Sequence, residues 1–466
     1  MIALNFAKGR RYAVMGLGES GLSACKALIK AGAEVLAWDD REASRAQVPE
    51  GTILQDLTAC DWDGVAALVL APGIPHTYPE PHPVAAAAIQ NDIPIICDVE
   101  LLAQANPDVI TVAITGTNGK STTTTLIGHI LQAHFDKIEV GGNLGKAVLN
   151  FKSRNVKVHV VELSSYQLER SPSLCPDVAV LMNISPDHID RHGDMNGYIA
   201  AKKNIFKQGK GCHTAVVSID DEHSKTICNE LQKGEEWDVL EASSQGAVSE
   251  GYATQEGRLV FCNKGECHEC MDLRGLSRLA GRHNWQNIAC AWAAAAAIGV
   301  PNTVIAEQIA SFKGLQHRQF HVRNINGVSY VNDSKATNAE AASKALQSYN
   351  SIYWIAGGLP KDGGLDDTEQ FLGNVRQAYV IGESQDEFAD WLDKRGIEVS
   401  VCGTLDKAVL AAHDQAQADR GLPGGGSVVL LSPACASFDQ YPNFEQRGDH
   451  FIKLVEKLPD QDEGKA

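Results

Sequence analysis

The sequence predicts an α/β protein of three domains. Three observations carry this expectation. Short apolar strands alternate with helical patterns along the chain, two glycine-rich turns each follow a strand and open a helix, and the strand-helix pattern starts afresh near Gly314. With 466 residues, 44% of them hydrophobic and 21% charged, the chain has material for several cores and none of the signs of a disordered or fibrous protein. Lys plus Arg is 41 and Asp plus Glu is 58, a net charge of −17, which disfavours binding along a nucleic-acid backbone. No apolar run reaches the ~20 residues a membrane span requires, and no leader pattern stands at the N-terminus. The expectation is a cytoplasmic protein without membrane insertion. Its twelve cysteines lie scattered in apolar segments, as reduced core thiols do, so no disulfide is expected.

The first strand, Arg11–Met15, runs into Gly16-Leu17-Gly18-Glu19-Ser20-Gly21 and a helical pattern through Leu22, Cys25, Leu28 and Ile29. A second strand, Glu34–Trp38, ends at Asp39, which completes a G-x-G-x-x-G fingerprint with an acidic residue about 20 positions on. This predicts a Rossmann-like N-terminal domain with a diphosphate cradle. The occupant stays open among NAD, FAD and a sugar nucleotide, and a purely structural turn is the remaining reading. Strands at 67–70 and 94–97 complete this domain near Asp98. A second unit opens with a strand at 110–114, and a third with a strand at 327–331, followed by strands at 351–356, 378–381 and 427–431 and a last helix over 451–458.

The strongest chemical signal is Gly116-Thr117-Asn118-Gly119-Lys120-Ser121-Thr122, directly after a strand. Backbone N–H groups at a helix N-terminus face phosphates, a lysine adds charge at their β/γ end, and a Ser121 or Thr122 hydroxyl can ligate Mg²⁺, so ATP is the expected ligand. The commonest phosphate-loop spacing would place glycine where Ile114 stands, so the loop is a variant. The apolar run 158–161 ends at Glu162-Leu163-Ser164-Ser165, and the run 178–182 ends at Asn183-Ile184-Ser185-Pro186-Asp187-His188. A carboxylate at the end of a buried parallel strand beside a phosphate loop suits a metal ligand, the alternative being a surface cap. His188 reads as a metal or phosphate contact rather than a structural imidazole.

Composition alone assigns Lys202 and Lys203 to a solvated cationic face. Asn284 and Asn287, at i and i+3 before a helix expected from Ile288, could read an adenine edge or cap the helix. Cys262, Cys267 and Cys270 share the C-x4-C-x2-C spacing of some iron–sulfur proteins, but a hairpin with strands at 259–261 and 266–273 explains that spacing.

Taken together, the 116–122 loop, Glu162 to Ser165, Asn183 to His188, Gly281 to Asn287 and Asn332-Asp333-Ser334-Lys335-Ala336-Thr337-Asn338 resemble the Mur ligase family in order and spacing over nearly the whole chain. The stretches 431–441 and 443–448 resemble the members that add D-glutamate. The resemblance implies residues 1–98 as a UDP-sugar-binding domain, 99–314 as the ATP-binding catalytic domain and 315–466 as a Rossmann-like amino-acid-binding domain. It implies an ATP-dependent ligase in peptidoglycan precursor synthesis, joining UDP-N-acetylmuramoyl-L-alanine to D-glutamate through an acyl phosphate, as a monomer with Mg²⁺ at two sites.

By the same resemblance Lys120 holds the ATP phosphates, and Ser121, Glu162, His188 and a carbamate on Lys202 are metal ligands, which overrides the composition-only reading of that lysine. Asn284, Asn287, Arg318, Asp333 and Lys335 complete the nucleotide site. Ser20, Asp39, Asn143, Ser164 and His188 match contacts of the UDP substrate, and Thr337, Lys361, Ser437 and Phe444 match the D-glutamate pocket. Glu19 and Ala71 depart from the family pattern in the first domain. A diaminopimelate-adding member would carry Asp-Asn-Pro-Arg in its third domain, which is absent here, and a folylpolyglutamate synthase is disfavoured by the C-terminal motif. An NAD-dependent oxidoreductase leaves the second phosphate loop unexplained, and a binding module without chemistry leaves Glu162, His188 and Lys202 unexplained.

Overall fold

The structure is a computed structural model that describes residues 1–106, 108–207, 213–234, 236–279, 281–360, 364–422 and 428–459. The chain forms two compact units, Met1–Phe312 and Lys313–Ala466. Among the described residues no helix is long and apolar enough to cross a membrane.

The first unit holds two sheets. One contains β1 (Arg11–Met15), β2 (Glu34–Trp38), β3 (Thr52–Leu54), β4 (Val65–Leu70) and β5 (Ile95–Ile96), in the order β3-β2-β1-β4-β5. All its pairings are parallel. The order reverses at β1, so the turn at Gly16 to Gly21 opens at the crevice where such sheets bind ligands.

The other sheet contains β6 (Ile110–Thr115), β7 (Ile138–Gly142), β8 (Val158–Glu162), β9 (Val178–Leu181), β10 (Thr214–Ser218), β11 (Asp238–Ser243), β12 (Glu250–Gln255), β13 (Arg258–Asn263) and β14 (Glu266–Asp272). Its order is β14-β13-β12-β11-β10-β9-β6-β8-β7. Strands β8 and β9 are buried at every position, as strands covered on both faces must be, and their valine-rich runs supply that apolar surface. The alanine run of the helix Arg282–Ala297 packs on this core with Trp292. That helix begins six residues before the expected Ile288, so the polar segment at 282–287 is helical.

The expected hairpin forms, with β13 antiparallel to β14, but the expectation of no disulfide is wrong: Cys262 is bonded to Cys267. The reason is register. The turn at Lys264 and Gly265, both at positive φ, sets Cys262 directly opposite Cys267 in the ladder, where cross-strand Cβ atoms come closest. Cys270 stays a free thiol.

The second unit contains β15 (Phe320–Ile325), β16 (Val328–Asn332), β17 (Ile352–Gly357), β18 (Val375–Ile381), β19 (Glu398–Gly403) and β20 (Val428–Leu431), in the order β15-β16-β20-β17-β18-β19. Every pairing is parallel except β15 with β16. Ser427, the expected start of the last strand, lies outside the described residues. The last helix begins at Phe444 rather than 451 because Asn443 caps it, its side chain accepting from the Gln446 N–H at 2.8 Å.

A buried arginine joins the two sheets of the first unit. Arg170, 1% exposed, donates Nη1 to the carbonyls of Leu70 (3.3 Å) and Ala71 (3.1 Å) and Nη2 to that of Pro72 (2.9 Å), while its Nε binds the Tyr166 carbonyl at 3.0 Å. Removing it strands several buried acceptors at ~1–3 kcal/mol each. We expect Arg170→Ala to lower urea stability by about 3 kcal/mol or more; an unchanged unfolding midpoint would refute this role.

Candidate active site

Strand β6 lies between β8 and β9, and the polar segments that leave all three strands meet at this switch point. The loop after β6 is shaped by two glycines. Gly116 has φ 155° and Gly119 has φ 83°; a Cβ on the first would lie 2.7 Å from Met182 Cβ, and on the second 2.5 Å from Asn287 Oδ1. Gly119 caps the helix Lys120–Gln132, whose first-turn N–H groups suit an anion. Asn183, at the end of β9, brackets the loop. Its carbonyl accepts from Thr117 N at 2.9 Å, its Oδ1 accepts from Asn118 N at 2.8 Å, and its Nδ2 donates to the Asn118 carbonyl and to Gln286 Oε1, each at 3.1 Å.

Lys120 donates to the carbonyls of Gly116 (2.8 Å) and Thr117 (2.7 Å), and Ser121 behind it is buried. Lys202 reaches the same Gly116 carbonyl at 2.8 Å. It is 2% exposed, which overturns the composition-only expectation of a solvated cationic face. Burial foremost, then the charge of Lys120, holds its pKa well below the usual lysine range, against a smaller opposing pull from Asp187.

At the end of β8, Glu162 is 2% exposed. Its Oε1 accepts from Asn143 Nδ2 at 3.0 Å, whereas the buried Oε2 has no hydrogen-bond partner. An orphaned carboxylate oxygen beside a phosphate loop fits a divalent cation. Ser164 is occupied locally, forming a capping box with Gln167. His188 follows β9 in a left-handed conformation (φ 52°), half exposed, with its ring 5.3 Å from that of Tyr166. Among the described residues no group of three His, Cys, Asp or Glu side chains is placed to hold a metal ion.

The helix Arg282–Ala297 presents Asn287, which donates to Asn284 Oδ1 at 3.1 Å, while Gln286 links Asn183 to Ser218 (2.7 Å) and Asp220 (3.0 Å). Gln286 and Tyr198 were missed as site residues from sequence, although the i, i+4 spacing of Tyr198 and Lys202 was readable. In the first sheet, Asp39 accepts from Leu17 N at 2.7 Å and Arg41 N at 2.9 Å. Burial raises its pKa, but these bonds and the Arg41 charge outweigh that and leave it lowered. It thereby pins the glycine turn. Ser20 lies in the first turn of the helix Glu19–Lys30, and Glu19, one of the two departures, accepts from Ala147 N at 3.2 Å.

In the second unit Asp333, at the end of β16, accepts from Ser432 Oγ at 2.8 Å and Gln319 N at 3.0 Å. Lys335 stands 5.4 Å from the ring of Phe444, Arg318 is exposed, Thr337 is partly buried and Ser437 is buried. Lys361 lies outside the described residues. Buried Arg447 holds this end of the sheet by donating to Ser334 Oγ (3.0 Å) and to the carbonyls of Ser334 (2.9 Å), Cys435 (3.0 Å) and Ala436 (3.3 Å).

Burial pushes Asp333 up to about 7, against the Ser432 and Gln319 hydrogen bonds and the Arg318 charge that pull it down. A carboxyl raised above its unfolded value of ~3.9 binds its proton more tightly when folded, so its contribution falls as pH rises between those two values. We expect the parent to lose more urea stability between pH 5 and pH 8 than Asp333→Asn does; equal losses would refute the assignment.

The family described as Mur ligase middle domain matches residues 114–295. A UDP-N-acetylmuramoylalanine--D-glutamate ligase of Rhodospirillum rubrum is 48% identical over 457 residues, covering 97% of this chain and 95% of that protein. The enzyme of the same name from Paramagnetospirillum magneticum is 46% identical, covering 98% of each. In fold, the UDP-N-acetylmuramate-alanine ligase of Thermotoga maritima aligns with a TM-score of 0.56 at 16% identity, over 96% of this chain and 99% of that one. The MurF ligase of the same organism, solved in complex with ADP, aligns with a TM-score of 0.54 at 18% identity, over 97% of each chain. With relatives this similar along nearly its full length, the chain belongs to the Mur ligase family.

Proposed function

We propose that this chain is an ATP-dependent amide-bond ligase that joins UDP-N-acetylmuramoyl-L-alanine to D-glutamate in peptidoglycan precursor synthesis. The observation that carries the reading is the meeting of the 116–122 loop, Glu162 and the Asn183 to His188 segment at the ends of β6, β8 and β9, in a chain 44–48% identical to D-glutamate ligases. A carboxylate is a poor acyl donor at neutral pH. Transfer of the γ-phosphoryl group of ATP to it creates an acyl phosphate, and the amine of D-glutamate then displaces phosphate to form the amide.

In this reading the backbone of Gly116 to Gly119 and the first turn after it cradle the phosphates, and Lys120 leaves the loop carbonyls to neutralise charge on the transferring group. Ser121, Glu162, His188 and a carbamate on Lys202 would hold Mg²⁺ at two sites, supplying charge stabilisation at the phosphoryl and carboxyl oxygens. Burial disfavours the charged form of this lysine, which favours the neutral amine that carbamate formation needs. Asn143 orients Glu162, and Asn284 and Asn287 take the adenine. By the family resemblance Arg318, Asp333 and Lys335 are assigned to the nucleotide, and Thr337, Lys361, Ser437 and Phe444 to D-glutamate. Ser20, Asp39 and Ser164 serve the UDP substrate, and the three domains are residues 1–98, 99–314 and 315–466. The enzyme acts as a cytoplasmic monomer.

The test is phosphate release with UDP-N-acetylmuramoyl-L-alanine and each amino acid in turn. Release is expected with D-glutamate; release with L-lysine or L-alanine but not D-glutamate would refute the specificity. Lys120→Ala should lower kcat by about 10³-fold, and an undiminished rate would remove the phosphate-transfer role.

A further inference from the structure

Lys202 is enclosed on two sides by groups of different kinds. On one side its Nζ donates to the Gly116 carbonyl at 2.8 Å. On the other stands the ring of Tyr198, whose centroid is 4.7 Å from that Nζ and which lies one helical turn earlier in the helix Met195–Lys203. Tyr198 is 1% exposed, and its ring is held in turn. Its hydroxyl lies 3.0 Å from Thr117 Oγ1, which also accepts from Ser185 N at 3.0 Å. The His192 ring packs at 5.4 Å, and His192 is itself anchored by Ser165 Oγ at 2.9 Å and Glu169 Oε1 at 3.1 Å. The phenol therefore bridges the helix that carries Lys202 and the phosphate loop.

We propose that Tyr198 is a positioning residue for the carbamate of Lys202: its ring seals one side of the nitrogen from water, and its hydroxyl, tied to Thr117, fastens that seal to the phosphate loop. The inference rests on the carbamate reading given above. In that step the lone pair of the Lys202 nitrogen bonds to the carbon of CO₂, one C–O π pair moves onto oxygen, and the nitrogen releases one proton to solvent. No oxidant or reductant takes part. The adduct is lost by the reverse route through the same proton transfer, so the equilibrium turns on how well the adduct's pose is held: a ring and hydroxyl fixed in place before CO₂ adds lower the ordering cost of forming it. A seal anchored to the loop that cradles the phosphates also sets the carbamate where that loop needs it.

The test is the ¹³C NMR resonance of the carbamate in the full-length protein, titrated with ¹³C-bicarbonate at fixed pH. Tyr198→Leu removes the ring and should need at least 10-fold more bicarbonate to reach half occupancy. Tyr198→Phe keeps the ring, loses only the tie and should need about 3-fold more. Phe is nearly isosteric, so this variant decides the matter where the Leu variant fails to fold. A parent that shows the resonance together with a Tyr198→Phe protein indistinguishable from it would overturn this inference alone. A parent without any carbamate resonance would overturn the carbamate reading and this inference with it.

Discussion

Two lysines share the carbonyl of Gly116, and the geometry of the site follows from how that sharing is made tolerable. Two ammonium groups on one oxygen would repel each other in a region with little water. The fold resolves the conflict by burying Lys202, so that its charged form is disfavoured while Lys120 stands partly exposed at the start of a helix. The carbonyl is available to both only because Gly116 adopts a φ of 155° with Met182 where a Cβ would be. The glycine, the helix N-terminus and the two amines are one arrangement.

Around that carbonyl the site is tightened by side-chain amides rather than by ion pairs. Asn183 satisfies the backbone of Thr117 and Asn118, Gln286 extends the chain of contacts to Ser218 and Asp220, and Asn143 fixes one oxygen of Glu162. Neutral amides hold a loop in place without cancelling the positive potential that a polyphosphate needs, and they leave Glu162 Oε2 uncommitted. In the second unit Arg447 plays a comparable role through backbone carbonyls, ordering the segments that carry Ser437 and Phe444.

Much of the architecture was readable because the strands are short, apolar and punctuated by glycine. The runs at 11–15, 34–38 and 158–161 are strands in the structure, and the two glycine turns sit where strand order reverses. Element starts were less readable where a polar cap precedes the apolar pattern. The helix at Phe444 begins ahead of the expected 451 because Asn443 caps it, and the helix at Arg282 begins after Gly281, at φ 90°, ahead of the apolar run from Ile288. The disulfide was misjudged because its cause is register: the spacing of Cys262 and Cys267 does not reveal the pairing, and the two become neighbours only through a two-residue turn.

From sequence alone one could assign the α/β class, the phosphate loop, the carboxylate at the end of β8 and the family motifs, since these depend on local periodicity and on residue types at fixed spacing. Tertiary structure decided which charges are tolerated and what each polar atom is bound to. Lys202 reads as a surface lysine until a helix is packed against the 116–119 loop, and only the fold shows the Asp39 carboxylate holding Leu17 and Arg41. Burial and hydrogen-bond partnership are sums over residues distant in the chain, and no window of sequence contains them.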